Sequence, residues 1–181
     1  FWQNARYDNQ SGEFIRHESL YRDRITADGS SGFRAEPGRY HLYVSLACPW
    51  AHRTLILRTL KGLESAISIS VVDPYMGPEG WRFSDRPGCT PDTVNGAALL
   101  REVYLKAMPD YTGRVTVPLL WDRETGRIVN NESSEIIRML NREFNAFATR
   151  EFPDLRPAPL RAQIDAWNEL IYRDLNNGVY R

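Results

Sequence analysis

The sequence predicts an α/β domain, a small mixed sheet flanked by helices, with one further amphipathic helix after it. Three observations carry that prediction. A β-rich run at Tyr40–Ser45, a helical stretch at Ala51–Lys61 and a second β-rich run at Ile67–Asp73 make a strand, helix, strand unit. A hairpin signal follows, with Val117–Asp122 and Arg127–Asn130 on either side of the turn residues Arg123-Glu124-Thr125-Gly126. Beyond Pro153, Pro157 and Pro159 an amphipathic helix begins near Leu160.

Residues 1–38 are polar and aromatic, with Gly and Ser in Asp28-Gly29-Ser30-Ser31-Gly32, and read as an irregular extension. Phe14, Tyr21 and Phe33 are its candidate anchors against a domain surface. The first strand follows Gly38 and is rich in β-formers. Pro49 suits the first position of the next helix, where its missing N–H is an orphan anyway. Leu55, Ile56, Leu60 and Leu63 give that helix a rough apolar stripe, and Gly62 suits its end. A helix crossing between two such strands makes them parallel. Residues 74–95, with four Pro and three Gly, form a long loop.

Ala97–Ala107 then reads as a helix, and Ser133–Asn141 as another, with Ile136, Ile137, Leu140 and Phe144 near one face. The order β-α-β, helix, β-β-α is a thioredoxin-like layout. The expected boundaries are an extension at 1–38, the thioredoxin-like domain at 39–146, a linker at 147–160 and the first helix of a helical domain at 161–181. In that last helix Ile164, Trp167, Ile171 and Leu175 fall at helical spacing, and Asn176-Asn177-Gly178 ends it. One helix cannot bury such a stripe alone. It either packs on the first domain or opens a helical domain that is cut off here.

Composition narrows the function. At 42% hydrophobic and 25% charged, the 181 residues are those of an ordinary soluble globular protein. The 23 basic and 23 acidic residues cancel, and no run of five or more Lys/Arg occurs, which argues against a nucleic acid or an anionic membrane as partner. No apolar run has the length of a membrane span, and the N-terminus has neither a signal-peptide pattern nor an initiator Met, so the chain reads as a fragment or a trimmed form. Two cysteines, Cys48 and Cys89, are no disulfide framework and suit a reducing, cytoplasmic setting. No metal site is expected.

The thiolate is the nucleophilic form of a cysteine, and the unpaired amides and dipole at a helix N-terminus favour it. Cys48 stands at such a position, immediately before Pro49. Three residues on is Ala51 rather than a second Cys, so an oxidised Cys48 needs an external thiol, and glutathione is the natural one. The bland alternative is a small buried hydrophobe. Cys89, in a Pro/Gly loop, reads as a passive thiol.

Val117-Pro118 opens a strand and suits a cis bond that turns the Val117 backbone outward toward an extended thiol tripeptide; a trans Pro at a strand edge is the alternative. Glu132-Ser133-Ser134 opens a helix, where amides and the Ser133 hydroxyl suit a carboxylate and Glu132 suits an ammonium group. An ordinary helix cap is the alternative there.

Gly38-Arg39-Tyr40-His41-Leu42-Tyr43-Val44-Ser45-Leu46-Ala47-Cys48-Pro49-Trp50-Ala51-His52-Arg53-Thr54, continued by Leu60-Lys61-Gly62-Leu63-Glu64, closely resembles the glutathionyl-hydroquinone reductases, or Xi-class glutathione transferases. The resemblance extends over Phe14-Ile15-Arg16 to Asp28-Gly29, Gly80-Trp81, Val117-Pro118, Asn131 to Arg138 and Asn176 to Tyr180.

It implies a thioredoxin-like domain followed by an all-α glutathione-transferase domain. It also implies reductive removal of glutathione from glutathionyl-hydroquinones, glutathione as co-substrate, and a homodimer once the helical domain is complete. Carried over by motif, Cys48 is the nucleophile and Tyr180 a proton donor to the leaving group. Trp81 packs on glutathione, Val117 beside Pro118 binds its backbone, and Glu132 and Ser133 hold its γ-glutamyl end. From the residues alone, Trp81 is equally a loop or core anchor and Tyr180 a helix-end aromatic. Two other readings stand beside this one: an omega-like thiol transferase or dehydroascorbate reductase, and a non-catalytic binding module of the same fold.

Overall fold

The structure, a computed structural model, describes residues 18–180. Of these, Ser19–Phe152 form one compact unit, while Glu18 and residues 153–180 belong to a second.

The first unit is built on a four-stranded sheet of β3 (Tyr40–Ser45), β4 (Ile67–Val72), β5 (Leu119–Asp122) and β6 (Arg127–Asn130), in the order β4-β3-β5-β6. β3 and β4 are parallel, as a helical crossover between them requires, and the β5–β6 hairpin lies antiparallel beside β3. Every residue of β3 is buried, so both of its faces are packed. The period of two sends Tyr40, Leu42 and Val44 to one face and His41 and Tyr43 to the other. Tyr40 meets Phe144, just past α3 (Ser133–Arg142), edge to face at 5.9 Å. Tyr43 meets Phe83 at 5.8 Å on the opposite side and donates its hydroxyl to Asp92.

The side of His41 is polar but satisfied. Ser70 Oγ donates to the Pro91 carbonyl at 3.2 Å, so its 2.9 Å contact with His41 Nε2 is a bond donated by the ring. Nδ1 is then the acceptor for the Ser68 hydroxyl at 2.7 Å. Burial pushes the imidazole down to about 4, against a smaller upward pull from Asp92.

The crossover helix α1 (Pro49–Leu60) starts at the proline and stops at Gly62, whose φ of 63° a side chain resists. α2 (Leu100–Ala107) begins three residues later than the apolar pattern suggests. The Glu102 carboxylate caps it by accepting from the Ala98 and Leu99 amides at 2.8 and 3.4 Å, while Asp92 takes the Ala97 amide. β5 likewise begins after Pro118, which has no N–H for the ladder, and the Val117–Pro118 bond is cis.

The extension departs most from expectation. Among its described residues, β1 (Ile25–Thr26) and β2 (Phe33–Arg34) pair in parallel, and Ile25, Phe33 and Ala35 are buried in the core. Arg22 bridges to Asn130 at the sheet edge, and its guanidinium grips Glu135 of α3 through two bonds of 2.8 and 2.5 Å. Tyr21 packs against Tyr104 and Tyr111. Two-residue strands are too short to show a period, so the sequence read them as irregular. Phe14, the third expected anchor, lies outside the described residues.

In the second unit, α4 (Arg161–Ile171) is steadied by Arg156, which pairs with Asp165 at 3.2 and 2.5 Å. The expected single helix changes character after Ile171. Tyr172–Asn176 form a wider turn in which the Asn177 amide reaches back to the Tyr172 carbonyl, and a tight turn at Gly178–Tyr180 follows. Trp167, Leu170 and Ile171 stay exposed within their own unit. No helix among the described residues is long and apolar enough to cross a membrane.

Candidate active site

Strand direction gathers the site. β3 and β6 end, and β5 begins, at one end of the sheet, because β5 runs against both. The residues just past those ends are Cys48, Glu132 and Val117. Ends of strands in such sheets are where α/β proteins place ligands.

Cys48 is the residue on which α1 opens. It is half-buried, with extended backbone (φ −98°, ψ 113°), and its carbonyl accepts the His52 amide as the first bond of the helix. No acidic side chain occupies the first turn, so nothing on the helix itself cancels its positive end. The thiol donates to the Val117 carbonyl at 3.5 Å. The nucleophile candidate and the expected backbone clamp are thus in direct contact.

Glu132 opens α3 in the same manner. Its Oε1 accepts from the Ser134 amide and hydroxyl, both at 3.0 Å, and Oε2 from the Ser19 hydroxyl at 3.3 Å. A carboxylate has about four acceptor positions, so capacity for an ammonium group is left. Ser133 is buried, and its hydroxyl accepts from Arg53 Nε and Nη2 at 3.0 and 2.6 Å. The Arg53 guanidinium also lies 3.6 Å from Glu132 and over the Trp50 ring at 5.1 Å.

Sequence reasoning gives Arg53 no role. A basic side chain one turn along a helix that opens on a candidate nucleophile was the available signal. It brings a positive charge to the start of α3 and joins the two helix starts, α1 and α3, which pack on each other.

A second set of bonds closes the arrangement. Tyr104 of α2, fully buried, donates its hydroxyl to the Thr116 carbonyl at 2.9 Å and accepts the Thr116 amide at 3.2 Å. It also accepts from Asn131 Nδ2 at 3.3 Å. Thr116 precedes Val117 and Asn131 precedes Glu132.

Trp81 is half-buried against the core, and its carbonyl accepts the Leu100 amide where α2 begins. Cys89 is also half-buried, 3.9 Å from the Val72 carbonyl at the end of β4, and both cysteines are free thiols. Tyr180 closes the last turn of the second unit, and its side chain lies outside the described residues. Among the described residues no cluster of His, Cys, Asp or Glu is placed to hold a metal ion.

Residues 47–143 match the family described as glutathione S-transferase, N-terminal domain. The chain is 54% identical over 182 residues to the glutathionyl-hydroquinone reductase PcpF of Sphingobium chlorophenolicum, covering 99% of this chain and 56% of that protein. It is 52% identical over 189 residues to the glutathionyl-hydroquinone reductase YqjG of Escherichia coli, covering 99% and 57%. The chain therefore spans little more than half the length of these relatives.

Among solved structures, a Xi-class transferase from Natrialba magadii superposes with a TM-score of 0.87 at 52% identity, over 93% of this chain and 53% of that one. The glutathione-bound structure of YqjG superposes with a TM-score of 0.85 at 54% identity, over 88% and 54%.

Proposed function

The chain belongs to the glutathione S-transferase family, its likeness falling on Xi-class members, and from that membership we propose that it removes glutathione reductively from glutathionyl-hydroquinones through a mixed disulfide on Cys48. The observation that carries the proposal is the Cys48 thiol at the opening of α1, 3.5 Å from the Val117 carbonyl. Glutathione lying against Val117 brings its own sulfur beside that thiol. Its γ-glutamyl end then reaches the start of α3, with the ammonium on Glu132 and the carboxylate on the Arg53–Ser133 pair.

The chemistry balances with two glutathione molecules and no other reductant. The Cys48 thiolate attacks the glutathione sulfur of the conjugate, forming an S–S bond. The bond from that sulfur to the ring carbon breaks, and its electron pair stays with the carbon, which takes a proton to give the hydroquinone. A second glutathione thiolate attacks the mixed disulfide, releasing oxidised glutathione and the Cys48 thiolate. One ring carbon is reduced, and the thioether sulfur of the conjugate and the thiol of the second glutathione end as a disulfide. In the same reading the protein is cytoplasmic and works as a homodimer when the helical domain is complete.

The test is intact-mass measurement after incubation with oxidised glutathione, followed by turnover of glutathionyl-menadiol. One adduct on the native chain, lost in Cys48→Ser together with hydroquinone release, is the expected result. An adduct that persists in Cys48→Ser assigns the reactive thiol to Cys89 and ends the proposal.

A further inference from the structure

We infer that Asn131 is a positioning residue for glutathione, its side-chain amide setting the separation between Glu132 and Val117. The inference rests on the reading that these two residues hold the γ-glutamyl and cysteinyl parts of the tripeptide.

Asn131 is buried at the junction between β6 and α3, and each of its polar atoms is engaged. Its amide N–H donates to the Tyr21 carbonyl at 3.1 Å, and its Oδ1 accepts the Tyr21 amide at 3.3 Å. Its carbonyl accepts from the Ser19 hydroxyl at 3.4 Å. Its Nδ2 donates to the Tyr104 hydroxyl at 3.3 Å and to Thr116 Oγ1 at 3.4 Å.

These bonds reach two ways. Toward Glu132, the Ser19 hydroxyl that touches the Asn131 carbonyl also contacts Glu132 Oε2, so one strap of the extension holds both residues. Toward Val117, the Asn131 amide meets a tyrosine hydroxyl with no capacity to spare. Tyr104 accepts twice, from Thr116 and Asn131, and donates once, to Thr116.

The β5–β6 ladder does not supply this link. Its last register pair is Leu120 with Asn130, and the pairing shifts between Leu120 and Trp121. Past that end, the segment carrying Val117 and the segment carrying Glu132 are joined by Asn131 and Tyr104. A ligand that touches both segments reads their spacing; one that meets only the Cys48 sulfur feels Val117 through the single thiol–carbonyl contact and does not reach Glu132.

That difference makes the test. The rate of mixed-disulfide formation at Cys48 is measured with oxidised glutathione and with 2-hydroxyethyl disulfide, which lacks the γ-glutamyl and peptide groups. Proteins are the native chain, Asn131→Ala and Tyr104→Phe, the last keeping the buried ring in case the first does not fold. A displaced binding group costs one to two orders of magnitude in a positioned reaction, so the glutathione rate is expected to fall about ten-fold in Asn131→Ala and less in Tyr104→Phe, with the hydroxyethyl rate held within about two-fold.

Equal losses with both disulfides would reduce Asn131 to a structural residue and overturn the inference, as would an unchanged glutathione rate in the folded variants. If the native chain itself shows no preference for glutathione disulfide, the glutathione site is what fails.

Discussion

Lowering the pH should loosen the fold through one side chain, His41 of β3, the strand that leads to Cys48. In the folded protein its ring is buried, neutral and bonded to Ser68 and Ser70, with burial holding it down to about 4. The unfolded chain titrates near the ordinary value of 6.5. The folded value is the depressed one, so the unfolded state binds the proton first. The contribution of a neutral His41 is therefore complete above that ordinary value and is lost as the pH falls toward the folded one.

The linkage amounts to almost nothing at about pH 7.5, roughly 2 kcal/mol at about pH 5, and ~3 kcal/mol at its limit. For a unit of this size the middle figure lowers Tm by roughly 6 °C. Urea unfolding followed by tryptophan fluorescence at those two pH values, for the native chain and His41→Asn, reads it directly. Asp122 and Glu135 carry carboxyls held below their ordinary range, so they withdraw support only at lower pH and leave this window to His41. The native chain should lose stability between the two conditions and the variant should not. Parallel losses in both proteins would refute the assignment.

Two further substitutions probe the frame. Arg53→Leu removes the pair of bonds to Ser133 and the positive charge at the start of α3, and glutathione affinity by calorimetry should weaken ~10-fold, the worth of about one charge-assisted bond. Asp122→Asn leaves Arg39 facing a neutral group. Burial raises the Asp122 carboxyl, but Arg39 at 3.0 and 2.7 Å, the Thr125 hydroxyl and the Glu124 amide outweigh it and keep the group ionised. Arg39 keeps Glu36 at 3.2 Å and Glu124 at 3.1 Å, so breaking the buried pair should cost about 2 kcal/mol in denaturant unfolding, below the cost of a buried charge left alone, with glutathione-site chemistry intact in the folded fraction.

The parts of the site that rest on local chemistry were legible in the sequence. A cysteine before a proline at a strand exit, a Val-Pro before a strand and an acidic residue before two serines each announce a local backbone state. Cys48 and Glu132 are found opening their helices, and the bond at Pro118 is cis. The bonds that join those pieces were not legible. Arg53 reaches Ser133 across 80 residues, Asn131 reaches Tyr104 across 27, and Ser19 reaches Glu132 across 113. On the sequence, Tyr104 is one more aromatic on a helix, and its bonds to Thr116 and Asn131 are what mark it out. The starts of α2 and β5 differ from the pattern for the same kind of reason. Apolar periodicity reports which face is buried, whereas Glu102 and Pro118 decide where pairing can begin.

The placement of the extension follows from what the sheet leaves undone. β6 is an edge strand whose end turns directly into α3, and an edge leaves backbone groups to be satisfied. Tyr21 and Arg22 cover that edge at Asn130 and Asn131, and the Asp23 backbone carbonyl accepts from Asn130 Nδ2. Arg22 then fixes the first turn of α3 through Glu135, whose carboxyl it holds below the ordinary range. Protection of the edge and definition of the helix start that carries Glu132 are consequently one set of contacts. A chain lacking residues 19–24 would expose an edge and loosen that helix start together. Loss of the Glu132 geometry without loss of edge protection would require Ser19 alone to matter, because Ser19 is the residue of that segment bonded to the Glu132 carboxylate.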